Sequence, residues 1–167
     1  WQATTENNQI DEESFSTIAS DIVLDDNTIY FSNNKNKFFS INSKNGVINW
    51  KQSINSYLRP TIIDSLIFTI SLEGYLIILD SKSGNILRVT DLFKNIKKKK
   101  KNIIPLGFII SKNKIFLSLN TGRLMVVNVL DGQVLKILKI DNQKISRPYI
   151  SENSMYVIKN NSIIKYN

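Results

Sequence analysis

Gly74-Tyr75-Leu76-Ile77-Ile78-Leu79-Asp80-Ser81-Lys82-Ser83-Gly84-Asn85-Ile86-Leu87-Arg88 reads as a strand, a tight turn and a second strand. Val, Ile, Leu and Tyr favour an extended, half-buried backbone. Ser81 to Gly84 supplies the turn, with Gly84 free to take a positive φ. The unit recurs upstream, from Lys37 to Trp50, and downstream, from Gly122 to Lys136. In each copy an Asx residue (Asn42, Asp80, Asn128) stands four positions before a glycine (Gly46, Gly84, Gly132). A fixed offset repeated three times marks a repeat architecture.

The rest of the chain falls into the same frame. Residues 18–53 form the first unit, with strands over Ile18 to Leu24, Thr28 to Phe31, Lys37 to Ile41 and Val47 to Ser53. Residues 59–90 form the second and open on Arg59-Pro60, where a proline at a strand's first position need not donate to the ladder. Residues 104–140 form the third. Residues 147–167 form a last unit that lacks its outer strand. The step from Asn42 to Asp80 is 38 residues and the step from Asp80 to Asn128 is 48. The excess sits in one loop that holds the lysine run. Trp1-Gln2 echoes Trp50-Lys51, so residues 1–17 read as the closing strand of a preceding unit followed by a loop. Four short strands per repeat of about 40 residues is the pattern of a β-propeller blade. The expected fold is therefore all-β, a propeller segment of four blades with four antiparallel strands each.

Composition narrows the chemistry. The 167 residues contain no cysteine and no histidine, which removes thiolate nucleophiles, disulfides and the commonest general base. The formal charge is +8, but Lys94 and Lys97 to Lys101 carry six of those charges and the remainder is nearly neutral. No apolar run approaches the 18 to 20 residues, roughly, that a membrane-spanning helix needs. Trp1-Gln2-Ala3 has neither an initiator methionine nor a targeting segment, so the chain reads as a piece of a longer protein.

Asn42, Gly46 and Trp50, with Asp80 and Gly84, and Asn128 and Gly132, resemble the quinoprotein-type propeller repeat, whose pattern ends in a tryptophan. Arg88 and Lys136 replace that tryptophan in the second and third units. Within this class the chain most resembles the C-terminal half of the BamB family, lipoproteins of the outer-membrane β-barrel assembly machine. The resemblance implies half of an eight-bladed ring and a non-catalytic scaffold at the periplasmic face of a Gram-negative outer membrane, anchored outside this chain. It implies no cofactor and no metal, and a partner in the barrel-forming subunit. Half a ring exposes an apolar face at each end, so pairing with the missing N-terminal half or with a second copy is expected.

An enzyme reading exists because related propellers hold pyrroloquinoline quinone with calcium. Those enzymes share an adjacent cysteine pair that this chain lacks, and Asp21, Asp64, Asp91 and Glu152 fall at turns or strand ends without common spacing. A propeller with an unrelated binding role is the other alternative. Two segments are candidate partner surfaces. Asp11, Glu12 and Glu13 lie in the long loop after Trp1, where the resemblance implies contact with the barrel-forming subunit. Lys97, Lys98, Lys99, Lys100 and Lys101 have the charge to dock an acidic protein or anionic headgroups. No aromatic platform is interleaved with them, which argues against nucleic acid. The plainer reading of both segments is a solvated loop. Arg59 and Arg147 recur before Pro60 and Pro148, where a structural role beside a strand start is expected.

Overall fold

Central strands rich in apolar residues on both faces must be covered on both faces, and outer strands with polar interruptions need not be. A computed structural model follows that rule; it describes residues 1–3, 17–96 and 102–166. Among the described residues, fifteen strands form four antiparallel sheets of four, four, four and three strands, each a meander in chain order. The first sheet contains β1 (Val23–Asp25), β2 (Thr28–Asn33), β3 (Lys37–Asn42) and β4 (Ile48–Gln52). The second contains β5 (Thr61–Ile63), β6 (Leu66–Ile70), β7 (Tyr75–Asp80) and β8 (Ile86–Asp91). The third contains β9 (Pro105–Ser111), β10 (Lys114–Leu119), β11 (Arg123–Asn128) and β12 (Val134–Lys139). The last contains β13 (Tyr149–Ser151), β14 (Ser154–Lys159) and β15 (Ser162–Tyr166). No described residue lies in an α-helix.

Burial follows the order of strands within a sheet. Phe38 to Ile41, Leu76 to Leu79 and Leu124 to Val127 are buried without interruption on the third strands. Every residue of β12 is exposed. The innermost strands are shorter than the sequence suggests. The stretch from Ile18 to Leu24 becomes only β1 plus an isolated bridge from Ala19 to Asn33, and the strand expected from Arg59 starts at Thr61. Pro60 has no N–H to give a ladder, and Ser20 instead pairs its own N–H with the Ser32 carbonyl at 2.8 Å. Trp1 to Ala3 carry no strand assignment, and most of the rest of residues 1–17 lies outside the described residues.

The chain divides into two compact units, one made of Trp1–Leu72 with Ile77–Arg88, the other of Glu73–Leu76 with the chain from Val89 on. In the first unit Tyr30, Phe38, Ile54, Ile67, Ile77 and Leu79 form a buried cluster with Trp50 and Ile62 packed on it. Backbone links tie its segments, Ser56 N–H to Asn33 carbonyl at 3.2 Å and Leu72 N–H to Asn55 carbonyl at 2.9 Å. In the second unit Phe93 lies over Gly74, and the Leu92 N–H donates to the Gly74 carbonyl at 3.0 Å. There too Arg147 covers Gly107 and donates through Nε to the Phe108 carbonyl at 2.9 Å.

Candidate interaction sites

The repeated Asx-to-glycine offset builds one turn three times. The Gly46, Gly84 and Gly132 N–H groups each donate to the carbonyl of the Asx residue four positions earlier, all at 2.9 Å. The Asx side chain closes the turn from outside. Asn42 Oδ1 accepts from the Lys44 N–H at 2.9 Å, Asp80 Oδ1 from the Ser83 N–H at 2.7 Å, and Asn128 Oδ1 from the Leu130 N–H at 2.9 Å. The three glycines have φ near +74°, at 74°, 73° and 74°. That region costs a residue with a Cβ about 1–2 kcal/mol.

What rests on each glycine explains the tryptophan of the motif. The Trp1 ring covers Gly46 and donates from Nε1 to the Ser43 carbonyl at 2.9 Å. The Trp50 ring covers Gly84 and donates from Nε1 to the Ser81 carbonyl at 3.0 Å. Ser43 and Ser81 are the same repeat position, one past the Asx residue. Trp1 therefore does for the first turn what Trp50 does for the second, as the echo in sequence implied. Over Gly132 the cover is the Thr90 side chain, two residues beyond the position where the motif carries tryptophan. A β-branched side chain fills the space that an indole fills elsewhere.

Asp80 is the one carboxylate among the three Asx residues. The Ser83 hydroxyl, then the Ser83 N–H, hold its pKa below the ordinary carboxylate value. A depressed folded-state pKa contributes stability above the unfolded pKa of about 4, and that stability is lost as pH falls through the folded value. Asp141 behaves in the same way because Lys159 pairs with it and the Gln143 N–H bonds it. Asp80→Asn is expected to keep the turn, since Asn42 and Asn128 fill that position elsewhere, and to flatten part of the loss of thermal stability below about pH 4. Melting curves of both proteins between neutral and acid pH check this.

The first unit also holds a polar cleft of about 400 Å³. Tyr30 and Ser40 are buried beside it, and Asp25, Asp26, Asn49 and Lys82 stand exposed around it. The Tyr30 hydroxyl donates to the Ser81 carbonyl at 3.2 Å, and Asn49 Nδ2 donates to Ser40 Oγ at 3.2 Å. Burial above all, with the Asp25 charge adding a smaller part, pushes the Tyr30 hydroxyl pKa up, so it stays a neutral donor. These residues are scattered along the sequence, so no local motif marks the group. Aligning the units on Asn42 and Asp80 exposes it: Asp25, Thr28, Tyr30, Ser40 and Asn49 align with Ile63, Leu66, Phe68, Ile78 and Leu87.

The second unit carries an apolar concavity of about 460 Å³ on the last sheet, lined in part by Tyr149, Tyr156, Val157, Ile158 and Ile163. Tyr149 is 64% exposed and Ile163 is 74% exposed. Of the sequence candidates, Arg147 makes the structural contacts given above and Arg59 is exposed. Asp11, Glu12, Glu13 and Lys97 to Lys101 lie outside the described residues. No cluster of three or more His, Cys, Asp or Glu able to hold a metal ion occurs among the described residues.

Antiparallel four-stranded meanders joined by the Asx–glycine turn, with an outer-strand tryptophan on the neighbouring turn, define a β-propeller of the quinoprotein type. A family model described as outer membrane protein assembly factor BamB matches residues 1–90, more than half of the chain. The chain belongs to that family. The solved structure of BamB from Moraxella catarrhalis matches with a TM-score of 0.70 at 12% identity, over 87% of this chain and 41% of that one. The computationally designed Ika4 protein matches with a TM-score of 0.64 at 12% identity, over 88% of this chain and 91% of its own. Quinohemoprotein alcohol dehydrogenase from Comamonas testosteroni matches with a TM-score of 0.59 at 14% identity, over 72% of this chain and 21% of its own. At these identities the likeness is one of fold. This chain spans about two fifths of the Moraxella BamB structure. No curated protein sequence matches it.

Proposed function

We propose that this propeller is a non-catalytic scaffold that holds a partner protein during assembly of outer-membrane β-barrels. The observation that carries this reading is the BamB family match across residues 1–90, together with the Trp1 and Trp50 turns inside that span. Antiparallel sheets that display loops suit a role in holding a partner domain in place. On this reading the protein works at the periplasmic face of a Gram-negative outer membrane, through an anchor outside the 167 residues. The barrel-forming subunit of the assembly machine is its partner. A second copy, or the rest of its own propeller, packs on the apolar faces. The absence of cysteine from these residues supports a scaffold over a quinone-dependent dehydrogenase, whose relatives carry a cysteine pair.

The test is capture. The full-length protein, tagged and drawn from detergent-solubilised cell envelope, is expected to bring down the barrel-forming subunit in stoichiometric amount. Reversal of charge at Asp11, Glu12 and Glu13 is expected to reduce that recovery. Purified protein that recovers no such subunit and carries a quinone absorbance would overturn the scaffold reading.

A further inference from the structure

We propose that the polar cleft of the first unit binds a short charged segment of a partner protein, with a basic side chain set against Asp25 and Asp26 and an acidic group against Lys82. The proposal rests on the scaffold reading and names the chemistry one of its surfaces recognises. Three observations carry it.

The first is the contrast within the chain. One face of the first sheet carries Asp25, Thr28, Tyr30, Ser40 and Asn49, and the aligned positions of the second sheet are all aliphatic or aromatic. A single polar exchange would be an ordinary surface change. Five on one face, spread over β1 to β4, set a polar group beside the apolar cluster of Tyr30, Phe38 and Trp50. Each hydroxyl taken out of water must find a hydrogen bond to avoid a penalty of about 1–3 kcal/mol, a requirement the apolar residues at the aligned positions do not carry.

The second is that the floor is already ordered. Tyr30 and Ser40 are 4% and 1% exposed, and both have partners, the Ser81 carbonyl and the Asn49 amide. Tyr30 is also a member of the unit's buried cluster and stands beside Trp50, with ring centroids 6.0 Å apart. A ligand entering the cleft therefore meets a preformed polar surface, which lowers the ordering cost of binding.

The third is charge. Asp25, Asp26 and Lys82 line the same cleft of about 400 Å³, within the usual range of ligand pockets, and form no ion pair among the described residues. Carboxylates and an ammonium group around one cleft but unpaired with each other complement a ligand that carries both signs. Lys82 already acts on the Asp80 carboxylate across the turn, and a neutral sugar would use the hydroxyls and leave Asp25 and Asp26 unmatched.

The experiment titrates the ¹⁵N-labelled chain with an acetylated, amidated Gly-Arg-Gly-Glu-Gly peptide at low salt and follows the amide resonances of Thr28, Asn49 and Lys82. Saturable shifts at these positions are expected, with a Kd on the order of 1 mM or tighter. Binding is expected to weaken at least about tenfold in the Asp25→Asn/Asp26→Asn double variant, and again when salt screens the charges. Lys82→Gln, on an exposed turn, gives a second variant should the first disturb the fold, and the same weakening is expected there. No saturable shift, shifts unchanged in both variants, or shifts produced by maltose and not by the peptide would overturn the proposal. No component of the assembly machine is present, so failure here leaves the capture result standing, and failure of capture leaves this one standing.

Discussion

Gly84→Ala is expected to lower unfolding free energy by about 3 kcal/mol, several times the effect of an ordinary surface substitution. Two costs add. The residue sits at φ +73°, where a Cβ costs about 1–2 kcal/mol. A Cβ there would also stand 2.5 Å from Cδ2 of Trp50, a distance that real contacts do not tolerate. The indole must move, and its hydrogen bond to the Ser81 carbonyl, worth about 1 kcal/mol, goes with it. Gly132→Ala is the internal control. Its φ is the same, at 74°, but the atoms it would meet belong to the small Thr90 side chain. A Cβ there would stand 2.8 Å from Cγ2 and Oγ1 of Thr90, so that side chain must shift too, but it is smaller than an indole, and the cost is expected to stay below that of Gly84→Ala, at about 2 kcal/mol. Urea denaturation of the two variants beside the parent gives both values.

Trp50→Ala carries the second large effect, about 3 kcal/mol, at the lower end of the range for aromatic truncation because the ring is only partly buried. The indole stacks on Phe38 with ring centroids 5.8 Å apart and an interplanar angle of 15°, and meets Tyr30 on another side. It roofs the Gly84 turn and bonds the Ser81 carbonyl, to which the Tyr30 hydroxyl also donates. Trp50→Phe keeps most of the apolar contact and loses the N–H. Its expected cost is nearer 1 kcal/mol, the worth of one hydrogen bond. Unfolding of Trp50→Ala is expected to remain cooperative, since Phe38, Ile67 and Leu79 stay in the cluster.

The repeat was legible because it is written in backbone chemistry. Asn42, Asp80 and Asn128 stand out in the sequence by their distance from a glycine, and that distance is what the turn's N–H to carbonyl bond requires. Trp1 was matched to Trp50 by the same logic, and both rings sit on equivalent turns. The substitution of Trp50 by Arg88 in the next unit left open what would cover Gly132. Thr90 answers it, and its register two residues along could not be read from a pattern that looks only at the tryptophan position. The first strand is shorter than its β-branched and aliphatic residues suggest, because Ile18, Ile22 and Leu24 are all largely exposed. The polar cleft was missed for a different reason. Its residues come from four strands and one turn, and no local window holds them together. Comparing the units column by column would have found it, because Tyr30 and Ser40 stand where Phe68 and Ile78 stand in the next unit.

These elements bear on function through rigidity. A scaffold that presents loops or a cleft to a partner loses affinity if its sheets shift. The Tyr30 hydroxyl at the cleft floor and the Trp50 indole above Gly84 share one acceptor, the Ser81 carbonyl. The interaction that fixes the turn is thus continuous with the proposed binding surface.

The double-mutant cycle between Trp50→Ala and Gly84→Ala tests most directly the claim that an outer-strand aromatic seated on the next glycine turn joins the repeats. If the two residues form one interaction, Gly84→Ala made after Trp50→Ala costs only its backbone share, about 1–2 kcal/mol. The coupling energy is then expected to be about 1–2 kcal/mol, within the range for residues in contact. Additive effects, within about 0.5 kcal/mol, would mean that the glycine serves the turn and the tryptophan serves the core independently, and would contradict the account.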